Sequence, residues 1–89
     1  MPLRSSNHPS YDKIFNIRNG ATATIAESAV IPNHRALLVN CTGAGTLTVT
    51  NLDGTTCAIP FTTADRTLLP LQIKKYAVTS GTFEIYGLL

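Results

Sequence analysis

The stretch Thr46-Leu47-Thr48-Val49-Thr50-Asn51-Leu52-Asp53-Gly54-Thr55-Thr56-Cys57-Ala58-Ile59-Pro60 reads as two strands folded about a tight turn. On the way into the turn, apolar and hydroxyl side chains alternate with the period of two that a half-buried strand requires. Asn51-Leu52-Asp53-Gly54-Thr55 has the chemistry of a three-residue hairpin loop, with a type I turn at Leu52 and Asp53 and Gly54 at positive φ in a bulge. Pairing Asn51 with Thr55 then sets Val49 opposite Cys57, Leu47 opposite Ile59, Thr50 opposite Thr56 and Thr48 opposite Ala58. One face of this hairpin is apolar and the other is Thr-rich, and a slip by a single residue would mix the two sets. The register predicts Cys57 in the core. It leaves Pro60 opposite Thr46 at the hairpin's open end, where a missing amide donor does least harm.

Outward from this hairpin the same grammar continues. Short runs of Thr, Val, Ile and Leu are interrupted by Gly, Asn, Asp and Pro at spacings of about ten residues, the pattern of an all-β sandwich or barrel. Arg35-Ala36-Leu37-Leu38-Val39-Asn40 is apolar on both parities and predicts a central strand covered on both faces. Thr79-Ser80-Gly81-Thr82 predicts a second hairpin, its two-residue turn pairing Val78 with Phe83 and Tyr76 with Ile85. Leu69, Leu71 and Ile73 hold the opposite parity to Tyr76 and Val78, so a bulge is expected near Lys74-Lys75. Further strands are expected near residues 13–17 and 22–26, and at most a short helix near 26–29. The expected fold is therefore a small antiparallel β-sandwich or barrel of about seven short strands over residues 12–89. Residues 1–11 carry two prolines and three serines with almost nothing to bury, and read as an extended N-terminal arm. Leu3, Arg4, His8, Pro9 and Tyr11 are the residues through which such an arm would order against a neighbour.

Composition narrows the function. A chain of 89 residues buries only roughly 60 to 65% of its unfolded surface, so the core is thin and gains from a staple or from neighbouring subunits. Cys41 and Cys57 stand sixteen positions apart without a second pair or a His cluster, which is not a zinc pattern, and no metal or other cofactor is expected. No apolar run reads as a secretory leader or a membrane span, which predicts synthesis in a cytoplasm with reduced thiols and no membrane partner. His8 and His34 lie beside Pro or Asn, and Asp12, Glu27, Asp53, Asp65 and Glu84 are scattered, so no catalytic constellation is visible and a non-enzymatic role is expected. Phe15, Phe61 and Phe83 fall at apolar strand positions, which predicts core packing, not base stacking. The rival reading is a small β-barrel that binds nucleic acid, resting on a net charge of +2 and on Lys74-Lys75. An exposed edge carries lysine equally well to prevent strand pairing, and no nucleic-acid partner is expected.

Several strings together, Ser5-Ser6-Asn7-His8-Pro9-Ser10-Tyr11-Asp12-Lys13-Ile14-Phe15, Arg35-Ala36-Leu37-Leu38-Val39, Asp53-Gly54-Thr55-Thr56 and Leu68-Leu69-Pro70-Leu71-Gln72-Ile73-Lys74-Lys75, follow one another along nearly the whole chain. In that order and spacing the sequence resembles the small head-spike-base and capsid-decoration (cement) proteins of tailed phages and of alphaproteobacterial gene-transfer agents. The resemblance implies a structural protein on the exterior of a virion. Its partners would be the major capsid protein, further copies of itself as a homotrimer or as a pentamer at vertices, and a spike or fibre protein.

Overall fold

The computed structural model describes residues 11–89. Among the described residues there are eight strands: β1 (Ile14–Asn19), β2 (Thr22–Ala23), β3 (Ala36–Cys41), β4 (Gly45–Asn51), β5 (Thr56–Phe61), β6 (Asp65–Leu69), β7 (Ile73–Ser80) and β8 (Phe83–Leu88). They form two antiparallel sheets, one ordered β2-β1-β8-β3-β6 and the other β5-β4-β7. This is the small all-β sandwich expected, with one strand more than the turn spacing indicated and a single turn at 26–29.

The β4–β5 hairpin forms in the expected register, with Val49 opposite Cys57, Leu47 opposite Ile59 and Thr46 opposite Pro60. Gly54 sits at φ 93, its N–H donates to the Asn51 carbonyl at 3.0 Å, and the Asn51 N–H donates to the Thr55 carbonyl at 2.7 Å, which is the turn-plus-bulge geometry. The Asp53 carboxylate accepts from both the hydroxyl and the N–H of Thr55, and these bonds, the hydroxyl's above all, hold its carboxyl below the usual carboxylate range.

The second hairpin does not form. β7 belongs to the three-stranded sheet and β8 to the five-stranded one, so the turn around Gly81 carries the chain from one layer to the other. Tyr76, Phe83 and Ile85 are buried and Val78 packs on the core, as their parity requires, but they meet across the sandwich and not side by side. The links after β3, β5 and β6 cross between layers in the same way. The bulge near Lys74-Lys75 is present: Thr50 pairs with Lys75 and Asn51 with Ile73, so Lys74 is the extra residue that turns Ile73 inward beside Tyr76.

β3 lies between β8 and β6, but only its inner face, with Leu37, Val39 and Cys41, is closed by the other sheet. The expectation that both faces are covered is corrected: the fold has two layers, and Leu38 and Asn40 point to the outer side, half-buried. The core joins these residues with Ile17, Leu47, Val49, Ile73, Tyr76, Phe83 and Ile85. Phe61 and Phe83 meet edge to face at 5.3 Å and 74°. Phe15 packs where Gly87 has no side chain, and a Cβ there would run into the Phe15 ring.

Cys57 is exposed, which corrects the expectation that it is a core residue. The register that predicts its face is right, but β5 is an edge strand and cover along it increases only toward the crossover: Cys57 is open, Ile59 half-buried and Phe61 buried. Cys41, whose thiol donates to the Gly43 carbonyl at 2.7 Å, is closed off in the larger sheet. A thiol reagent is expected to modify Cys57 readily in the folded single chain at high dilution, and Cys41 only on unfolding. Mass spectrometry of singly labelled protein checks this, and label on Cys41 under native conditions would contradict the packing.

Candidate functional site

Residues 24–34 form a strap that ties the larger sheet to the smaller one along one flank. Its start is held by β1, where the Ile17 carbonyl accepts from the N–H groups of Thr24 and Ile25. A bulge in β1 between Asn16 and Arg18 gives Ile17 to the core and frees Arg18 to reach the strap, where its guanidinium pairs with Glu27 at 2.8 Å. Glu27 Oε2 also accepts from the Val78 N–H at 3.2 Å, and the Tyr76 hydroxyl donates to the Ile25 carbonyl at 2.7 Å. Burial pushes the Tyr76 hydroxyl above the ordinary tyrosine range, so it serves as a neutral donor. Farther on, the Ile31 N–H donates to the Lys74 carbonyl at 3.1 Å.

The strap ends on His34, which is 1% exposed. The Ile73 N–H can only donate, so Nε2 of His34 accepts it at 3.0 Å; the Pro32 carbonyl can only accept, so Nδ1 carries the proton and donates at 2.8 Å. The ring is a pin between strap and β7. Its two bonds occupy both ring nitrogens.

The opposite flank is open. Between the edge strands β5 and β6 lies a cleft of about 300 Å³ lined by Ile59, Pro60, Phe61, Asp65, Thr67 and Leu69. Among the described residues no group of three or more His, Cys, Asp or Glu side chains comes together in a way that could hold a metal ion. Among the same residues no helix is long and apolar enough to cross a membrane.

The two outer faces differ. On the smaller sheet, Thr46, Thr48 and Thr50 stand beside Thr56, Ala58 and Pro60, and Thr48 and Thr79 approach hydroxyl to hydroxyl at 3.4 Å. On the larger sheet, Tyr86, Leu38 and Leu68 are set side by side by the pairing of β8, β3 and β6, with Ile14 on the same face of β1. Ile14 is 54% exposed and Leu68 is 41% exposed, whereas the neighbouring row is polar, with Asn40 donating to Glu84 at 2.9 Å beside Arg66. An apolar row on a water-facing sheet is the feature of this surface that folding does not account for.

No family model, curated protein or solved structure matches the chain. The residues themselves therefore carry what can be said of function.

Of the arm residues singled out in the sequence, Leu3, Arg4, His8 and Pro9 lie outside the described residues. Tyr11 is described, and its ring lies 5.1 Å from the Arg35 guanidinium of the same chain, a cation–π contact at the end of the larger sheet. Asp12 follows, its N–H bonded to the Leu89 carbonyl. The outer apolar row was not singled out in the sequence. Its signal was present in the double parity of Ala36-Leu37-Leu38-Val39, which reads as burial on both faces when only one is covered by the chain itself.

Proposed function

We propose that the chain is a structural protein that works by being built into a larger assembly, and that this assembly is the outer surface of a phage or phage-like capsid. The observation that carries the reading is the apolar outer row of Tyr86, Leu38 and Leu68 with Ile14 on a sheet that otherwise faces water. Such a row is stabilised when a partner covers it, and the thin core of so small a chain gains stability from the same contact by mass action. Resemblance to head-spike-base and cement proteins supplies the partner: the major capsid protein, with copies of this chain around a threefold or fivefold axis and a spike or fibre protein above. Residues 1–10 precede Tyr11 in the sequence, whose ring meets Arg35 at the end of the larger sheet, and in this reading they extend the contact onto the neighbour.

The test is binding to purified capsids that lack the protein. Replacing exposed Leu68 by Asp, and separately deleting residues 1–10, is expected to leave the circular dichroism spectrum unchanged while each weakens capsid binding by about tenfold or more, as removal of an interface anchor does. Undiminished binding of both variants would overturn the assignment of the contact, and absence of binding by the unaltered chain would overturn the particle reading.

A further inference from the structure

The two sheets have four edges, and three of them carry a feature that discourages pairing. β2 is only two residues long. β7 is covered by the strap, which binds the Lys74 carbonyl and the Val78 N–H. On β6 the carboxylate of Asp65 takes the N–H of Arg66 at 2.8 Å. These are the devices by which a sheet avoids pairing with a stranger. Among the described residues no segment covers β5: Thr56, Cys57, Ala58, Ile59, Pro60 and Phe61 include no charge, Thr56, Cys57 and Ala58 are all exposed, and Pro60, which blunts pairing, stands near the crossover end.

The hydrogen-bond pattern says which groups β5 offers. The bond from Asn51 N–H to the Thr55 carbonyl closes the hairpin, and bonded pairs then alternate along it at Val49 with Cys57 and Leu47 with Ile59. Thr56, Ala58 and Pro60 fall between them, so their backbone groups point away from β4. The free edge presents the N–H and C=O of Thr56, the N–H and C=O of Ala58, and the C=O alone of Pro60.

We infer that β5 is a self-pairing edge: two copies of this chain join antiparallel through it, with Cys57 of each copy facing Cys57 of the other on the twofold axis. In this register Thr56 of one copy exchanges both backbone bonds with Ala58 of the other, twice over, and every outward group of those residues is used. Centring the axis on Ala58 instead would set each Pro60 ring against the partner's Thr56 carbonyl, with no donor to meet it. Shifting it to Thr56 would set Ala58 against Gly54, whose N–H is already bonded to Asn51 within the turn. Pro60 on one side and the Gly54 bulge on the other thus leave one usable register. The contact makes a continuous six-stranded sheet from two three-stranded ones. It is isologous, so it joins copies in pairs, while a trimer or pentamer needs a second, heterologous surface. It does not depend on the particle reading: a dimer through β5 stands if capsid binding fails, and capsid binding stands if the dimer fails.

The test uses the full chain under reducing conditions, with native mass and amide hydrogen exchange followed across a concentration series. The expected result is a species of twice the chain mass in which the Thr56 and Ala58 amides exchange about tenfold or more slowly than at high dilution. Mild oxidation with copper phenanthroline in air, which removes two protons and two electrons from a thiol pair, should then link the copies through Cys57, because residues facing in a non-bonded antiparallel pair have Cα atoms about 4.5 Å apart, within disulfide range. Ala58→Pro removes an outward N–H without touching the β4 ladder, and Cys57→Asp sets two carboxylates on the axis. Each is expected to abolish the slow exchange and return the protein to a single-chain mass. A single-chain mass throughout, an oligomer in which both amides exchange freely, or association undiminished in both variants would overturn the inference.

Discussion

Replacing Gly81 by Ala is expected to lower stability by about 3 kcal/mol, the sum of a left-handed backbone cost of about 1 to 2 kcal/mol and an overpacking cost of similar size. Gly81 has φ 85, and a Cβ on it would stand 2.6 Å from the Ala44 carbonyl oxygen and 2.7 Å from the Gly45 Cα. These are backbone atoms, so no side chain can swing aside. The approach is reciprocal, since a Cβ on Gly45 would lie 2.6 Å from the Ser80 carbonyl oxygen. Two of the links that carry the chain between layers, those after β3 and after β7, touch here with no room for a methyl group. A domain of this size has a stability of roughly 4 to 13 kcal/mol, so the loss is a large fraction of the total and should move the melting temperature by about 12 to 24 °C. Gly54→Ala supplies the comparison: its φ of 93 carries the same backbone cost, but nothing lies within 4 Å of the added Cβ. Thermal unfolding of both variants should show Gly81→Ala losing about twice as much as Gly54→Ala. Equal losses would mean that the two links do not approach as described.

This junction also shows where sequence reasoning stops. The β4–β5 hairpin was legible to the residue because everything that sets it, Asp53, Gly54 and two alternating strands, lies within fifteen positions. Around Gly81 the same signs were present, and the parity of Tyr76, Val78, Phe83 and Ile85 was read correctly as inward-facing. Parity states which side chains look toward the core. It does not state whether the residues they meet are beside them in one sheet or opposite them in another, and a turn at a positive-φ glycine serves both connections. The exposure of Cys57 has the same origin, since a face known to be inward is buried only where a second layer reaches over it. For the candidate surface, the side-by-side placement of Tyr86, Leu38 and Leu68 depends on β3 pairing with strands far along the chain, which no local pattern encodes.

Removal of the His34 side chain is the second large effect, and its cause is polar. His34→Ala is expected to lose about 3 kcal/mol or more, because a buried donor or acceptor left without a partner costs about 1 to 3 kcal/mol and the imidazole meets one of each. The Ile73 N–H and the Pro32 carbonyl have this ring as partner, on a strand and a strap whose contact spans 39 positions of sequence, so nothing local in Asn33-His34-Arg35 signals it. His34→Phe separates the two contributions: it fills the space but makes neither bond, so a loss that remains at about 2 kcal/mol assigns most of the effect to the hydrogen bonds, and full recovery would assign it to volume. Urea unfolding measures both, and exchange of the Ile73 amide should accelerate in each variant well before global unfolding. The consequence reaches beyond stability. His34 anchors the end of the strap whose other bonds cover the Lys74 carbonyl and the Val78 N–H, so loosening it uncovers the edge of β7. A chain with two open edges on its smaller sheet can add strands at both sides, and non-closing addition of that kind produces chains of molecules where one open edge produces pairs. His34→Ala should therefore aggregate with the light-scattering growth of an open polymer, and addition of Ala58→Pro, which closes the β5 edge, should reduce the growth to pairs through β7.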